Sequence, residues 1–228
     1  PGHTSDTAWK GIHPIEDLVQ VRNPAAGYMQ NCNISPANMM KNSPMTPDKY
    51  RDYIYNVSWD DMNTRGMRTL ELLSSDANVT KEEAKAFAFD VYDVLSEPWQ
   101  AALKRALRDP AAAEAVTPEV EAAAAQILAW DGNFTKDSEA APIIRYWRKH
   151  TEPEVDLGAL VAGETLSSDD YVAIVKGLDM ALAEMKATYG TVDLVWGDIH
   201  QVGRNGQFYP VGGAVLGRGS TRTRTLFN

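Results

Sequence analysis

Apolar residues recur at helical spacing through the middle of the chain. Thr80 followed three residues later by Glu83 has the form of a capping box, and Ala84, Phe87, Val91 and Leu95 then fall on one face, which predicts a helix. Ser96, with Pro98 in its first turn, and Thr117, with Pro118 next, predict two further starts. After the second, Val120, Ala124, Ile127 and Leu128 form the apolar stripe. The Ala-rich stretch 111–125 favours helix over low-complexity disorder. The longest pattern runs over 168–189, with Tyr171, Ile174, Val175, Leu178, Leu182 and Met185 inward and Gly190 as a left-handed stop. Thr46, able to cap a helix with Pro47 at its first position, marks the expected start of the helical region. About six helices are expected between 46 and 190.

The flanks read differently. Residues 1–45 are rich in Pro, Gly and Asn and predict turns and extended chain, with one short strand over 27–32. After Gly190, Val192, Leu194 and Trp196 alternate with polar residues and a Gly-rich segment spans 203–219, a pattern of strand, loop and strand. The closing residues 220–228 alternate Thr with Arg, as a strand does when its partners lie elsewhere. The expected class is α+β in three regions: an extended part over 1–45, a helical part over 46–190, and strands with a Gly-rich loop over 191–228.

Composition narrows the functions. The net charge is −9, from 31 acidic against 22 basic residues. No Lys/Arg block stands out, which argues against a nucleic-acid surface. No apolar run approaches the roughly 20 residues of a membrane span, so no membrane association is expected. A single cysteine, Cys32, excludes an intrachain disulfide and a cysteine-rich zinc site. His3, His13, His150 and His200 have no paired spacing, and Asp48, Asp52, Asp60 and Asp61 no EF-hand pattern, so no metal site is assigned. The glycines at 212, 213, 217 and 219 lack the G-K-[ST] ending of a phosphate loop and read as a turn between strands. Asp198 and His200 share residue types with part of a catalytic triad, but no companion serine is identifiable, and a structural hydrogen bond accounts for them.

The segment 22–40, RNPAAGYMQNCNISPANMM, carries the most chemical information. Asn31 and Asn33 are spaced by two, which in a strand places both on one face and points Cys32, read as a buried and inert thiol, to the other. A side-chain amide offers N–H donors without charge, suited to an oxyanion that exists only in a transition state. The same residues also serve simply to satisfy loop backbone groups.

These residues, Asn23-Pro24 through Gly27-Tyr28 and Asn31-Cys32-Asn33 to Pro36, resemble the NP-x-x-GY-x-x-N-x-N-x-x-P segment of the penicillin amidase family of N-terminal nucleophile hydrolases. Two further landmarks follow in the family's order. One is Trp130-Asp131-Gly132 with Ser138, Ala140, Ala141 and Trp147; the other is Val195-Trp196-Gly197-Asp198-Ile199-His200 with Pro210-Val211-Gly212-Gly213. The short connection after Gly132 is similar to the branch that contains aculeacin-type and acyl-homoserine-lactone acylases.

The resemblance implies a self-cleaving amide hydrolase with an αββα sandwich, into which the helical region is inserted. An N-terminal Ser supplies the nucleophile and its own α-amine the base. Asn33 then matches the oxyanion donor, and Arg65 best matches the arginine that holds it. Arg51 and Arg68 are rivals, and a solvated helix-face charge is the plain alternative for Arg65. Residue 1 is Pro, so no nucleophile is assigned in this chain, and alone it is expected to be inactive, a fragment of a larger enzyme. The implied partners are the remaining segments of that parent enzyme and an N-acylated small molecule such as an acyl-homoserine lactone, a lipopeptide or a β-lactam. No cofactor is implied for catalysis, although some family members carry a structural calcium. Localisation in the periplasm or outside the cell follows from the resemblance alone. The competing reading is a stand-alone helical binding or interaction module without catalysis.

Overall fold

In the computed structural model, which describes residues 3–8, 10–55, 62–216 and 219–220, helices carry the architecture. In chain order they are α1 (Thr64–Ser74), α2 (Lys81–Ala88), α3 (Ser96–Ala106), α4 (Pro118–Ala129), α5 (Ala140–Thr151), α6 (Leu157–Ala162), α7 (Ser168–Tyr189) and the single turn α8 (Trp196–Ile199). Two small antiparallel pairs follow: β1 (Gln201–Arg204) with β2 (Gln207–Pro210), and β3 (Val215–Leu216) with β4 (Gly219–Ser220). The class is α+β. Among the described residues the strands form only these two-stranded sheets.

Helix α7 is the axis of the main core. Ser167 caps it, with Asp170 closing the box, and Gly190 ends it at φ +77. All six apolar residues predicted to face inward are buried. Helix α5 packs along α7: Trp147 donates its Nε1–H to the carbonyl of Ile174 at 2.9 Å and meets Trp99 of α3 edge-on at 5.1 Å. Gly177 allows this approach, because a Cβ there would collide with Thr151. Helix α4, capped by Thr117, buries Val120, Ala123, Ala124 and Ile127, whereas Leu128 remains 37% exposed, against expectation. At the heart of this core Arg148 pairs with Asp93 at 2.8 Å and with Glu152 at 2.7 Å, with Arg148 and Asp93 both almost fully buried.

Several expected elements are replaced by others, each for a local reason. The Thr80 capping box forms, but α2 stops at Ala88 and buries none of its residues. Val91 accepts from Phe134 N, Tyr92 bridges Asn133, and Asp93 N donates to Gly132 O, so this stretch is drawn to the 132–134 loop and leaves the helical path. Thr46 makes no capping bond, and Pro47–Lys49 is one 3-10 turn; among the described residues the first α-helix starts at Thr64, capped by the Asn63 side chain, which accepts from Gly66 N. Residues 110–115 are likewise 3-10. The strand expected at 192–196 does not form. Its N–H groups go to Thr191 Oγ1, Val192 O, Asp198 Oδ2 and Ser138 O, which leaves no ladder to build. The segment expected as a Gly-rich loop instead holds a hairpin, with Asn205 and Gly206 at φ 54 and 79, the turn that suits a two-residue connection. The terminal strand expected over 220–228 falls, beyond Ser220, outside the described residues.

The first 55 residues have a small cluster of their own. Ile34, Met40, Met45 and Tyr55 are buried apart from the main core. The Tyr55 hydroxyl donates to Met45 O at 3.0 Å, accepts from Ala37 N at 3.1 Å and meets Ser35 Oγ at 3.0 Å, closing the loop that follows Asn33.

Candidate active site: an asparagine turn clamped to a helix

Residues 27–32 form no strand. Gln30 N donates to Met39 O, and beyond it the Asn31 side chain captures the backbone N–H of Asn33 at 2.9 Å, which bends the chain. Asn33 therefore sits in the left-handed region at φ 60, a conformation that asparagine tolerates better than most side chains. The paired-face geometry expected of Asn31 and Asn33 is replaced by a division of labour. Asn31 braces the turn, and Asn33 lies exposed at its tip.

Helix α1 supplies the clamp. Arg65, in its first turn, donates from Nη2 to Asn33 Oδ1 at 2.8 Å and to Cys32 O at 2.9 Å. A guanidinium has donors only, so the atom facing it must be the amide oxygen, and Nδ2 must face away. Among the described residues Nδ2 of Asn33 donates to no protein group and Arg65 faces no carboxylate. The turn thus holds the amide of Asn33 by its oxygen and keeps the amide nitrogen on the side away from Arg65. Asn63, which carries no distinguishing mark in the sequence beyond its capping residue type, adds a second bond to Cys32 O at 2.8 Å from Nδ2.

The other candidates are engaged elsewhere. Arg68 makes a two-toothed pair with Asp90, contacts Glu71 and lies over the ring of Tyr92; its hydrogen bond to Asp90 raises its pKa still further. Arg51 donates to Tyr53 Oη. The Cys32 thiol is half-buried against Thr69 Oγ1 at 3.5 Å, and only its carbonyl belongs to the turn. Asp198 caps α8 by accepting from Val195 N, while His200 stacks on Trp196 at 4.7 Å. Asp60 and Asp61 lie outside the described residues, and among those described no group of three His, Cys, Asp or Glu is arranged around a metal position.

The second and third landmarks lie far apart in sequence and form one packed unit. Phe134 meets both Trp130 and Trp196 edge-on, at 5.0 and 5.3 Å. Trp196 Nε1 donates to Gly213 O, Gly213 N to Phe134 O, and Gly197 N to Lys136 O. Gly197 and Gly212 sit where a Cβ would press on the carbonyl oxygens of Lys136 and Phe134, at 2.9 and 2.8 Å. The residues that carry the motif signal are therefore the ones at which two backbones touch.

An uncharged amide held by its oxygen keeps its N–H donors free of the guanidinium that holds it. The chain belongs to the penicillin amidase family, whose sequence model matches residues 1–224. That family places it among the amide hydrolases.

Proposed function

We propose that this chain is the oxyanion-binding part of an acylase that hydrolyses N-acyl compounds through an N-terminal nucleophile. The observation that supports this reading best is the 2.8 Å bond from Arg65 to Asn33 Oδ1, which turns the amide nitrogen of Asn33 away from the guanidinium. In the reaction, the hydroxyl of an N-terminal Ser borne by another segment of the parent polypeptide adds to the amide carbonyl. Asn33 donates to the oxygen as it becomes anionic, the amine leaves, and water releases the acid. We propose no metal or cofactor for the chemistry. The helical region over 46–190 is proposed as an insertion into the αββα sandwich completed by other segments. Acyl-homoserine lactones, lipopeptides and β-lactams are the proposed substrate classes, with the aculeacin and acyl-homoserine-lactone branch favoured by the short connection after Gly132. A periplasmic or secreted location is proposed from the family relationship.

The test is Asn33→Ala in the complete, matured enzyme. We expect kcat on a chromogenic N-acyl substrate to fall about 10²–10³-fold with KM little changed, because the donor acts on charge that appears only in the transition state. Unaltered kcat overturns the assignment.

A further inference from the structure

We infer that Asn63 is a positioning residue for Asn33, acting through the peptide bond between Cys32 and Asn33. The inference rests on the oxyanion role proposed for Asn33.

Asn33 projects from a peptide plane that is held at both ends. On one side its N–H is taken by Asn31 Oδ1 at 2.9 Å. On the other, the carbonyl of Cys32 accepts Asn63 Nδ2 at 2.8 Å and Arg65 Nη2 at 2.9 Å. Such a plane cannot rotate without breaking hydrogen bonds to three side chains, so Asn33, whose own Oδ1 is held by Arg65, projects from a fixed base.

Asn63 differs from its two companions because it belongs to the helix as well as to the turn. Its Oδ1 caps α1 by accepting from Gly66 N at 3.0 Å while its Nδ2 reaches the turn. The partners fix this orientation: an N–H must meet the oxygen and a carbonyl the nitrogen. Aspartate and serine cap helices as well as asparagine does. Neither can cap with one end of a planar amide and donate with the other. Capping alone does not require asparagine here; the second bond does.

The helix is also brought close enough for this to work. A Cβ on Gly66 would lie 2.9 Å from Ile34 Cδ1, the side chain that follows Asn33, so the first turn of α1 rests directly on the turn it orients. Helix α1, through Asn63 and Arg65, transmits its position to the amide of Asn33. A shift of its N-terminus would move the donor out of line, and small misplacements of an oxyanion donor carry large rate penalties.

The experiment compares Asn63→Asp and Asn63→Ser in the complete, matured enzyme, each alone and combined with Asn33→Ala. Both substitutions keep a capping acceptor and remove the amide nitrogen that reaches Cys32 O, and the serine variant adds no charge. Thermal melts identify the variant that retains the fold. The expected result is a loss in kcat of about tenfold, with KM little changed, in the otherwise native enzyme, and no further loss when Asn33 is already alanine. Equal losses in the two backgrounds, or unaltered kcat in a folded single variant, overturn the inference while leaving the role of Asn33 standing. Full activity of Asn33→Ala overturns the reading of the site itself, and with it the inference.

Discussion

One nitrogen of Arg65, Nη2, lies 2.8 Å from the amide oxygen of Asn33 and 2.9 Å from the carbonyl oxygen of Cys32. It therefore controls both the rotation of the amide and the plane of the peptide that carries it. Arg65→Met keeps the length and apolar stem of the side chain and removes both bonds. The amide can then turn its oxygen toward the oxyanion, which it repels. A charge-assisted hydrogen bond is worth about 1.5–3 kcal/mol, so kcat of the complete enzyme should fall about 10–100-fold, less than for Asn33→Ala, with KM nearly constant. Steady-state kinetics distinguish this from a merely solvated arginine, for which neither constant would move.

The sequence revealed chemistry and fold to different depths. The stripe on α7 was legible because a long helix repeats its signal over many turns, and Gly190 marked its end. The Thr80 capping box was legible for the same local reason, but a box marks a start and says nothing about length. Val91, Tyr92 and Asp93 leave the helical path for partners at 132–134, which are distant in sequence. The alternation of Val192, Leu194 and Trp196 misled because period-two burial makes a strand only where a neighbour offers a ladder. Asn33 and Arg65 were reached by resemblance. Their contact spans 32 positions and has no periodic signature, and a strand reading of 27–32 hid the turn that Asn31 creates. Asn63 stayed invisible because its second bond belongs to tertiary structure alone.

The buried network around Arg148 gives a stability prediction independent of the site. Arg148 bridges Asp93 and Glu152 and lies over the ring of Trp99. Burial pushes the Asp93 carboxyl up, and Arg148 opposes that push. Arg148→Met leaves a buried carboxylate without its cation and should cost about 3–5 kcal/mol in urea unfolding. Adding Asp93→Asn removes the charge while keeping an acceptor for Leu95 N, which Asp93 Oδ1 now holds at 3.0 Å, and should recover much of the loss. The deficit of the single variant should also shrink as pH falls, because protonation neutralises the stranded group. A deficit that persists unchanged in the double variant would show that Arg148 matters for packing and not for charge.

His200 gives the pH dependence its sign. The ring is buried against Trp196, and its pKa is lowered from the ordinary 6.5, first by burial and then by the positive charge of Arg145. The folded state thus binds this proton less readily than the unfolded chain does. Between the two pKa values the unfolded state carries more protons, so unfolding free energy falls as pH drops below about 6.5 and continues to fall until the folded-state value is passed. The contribution is fully present above 6.5. His200→Gln abolishes this titration, so the stability difference between native and variant protein should narrow from pH 7.5 to pH 5 in matched urea titrations. The ring signals of His200 followed by NMR should titrate with a midpoint below 6.5. A midpoint at or above that value would mean that solvent or an acidic partner reaches the ring, and the acid-side slope would then have to come from the carboxylates.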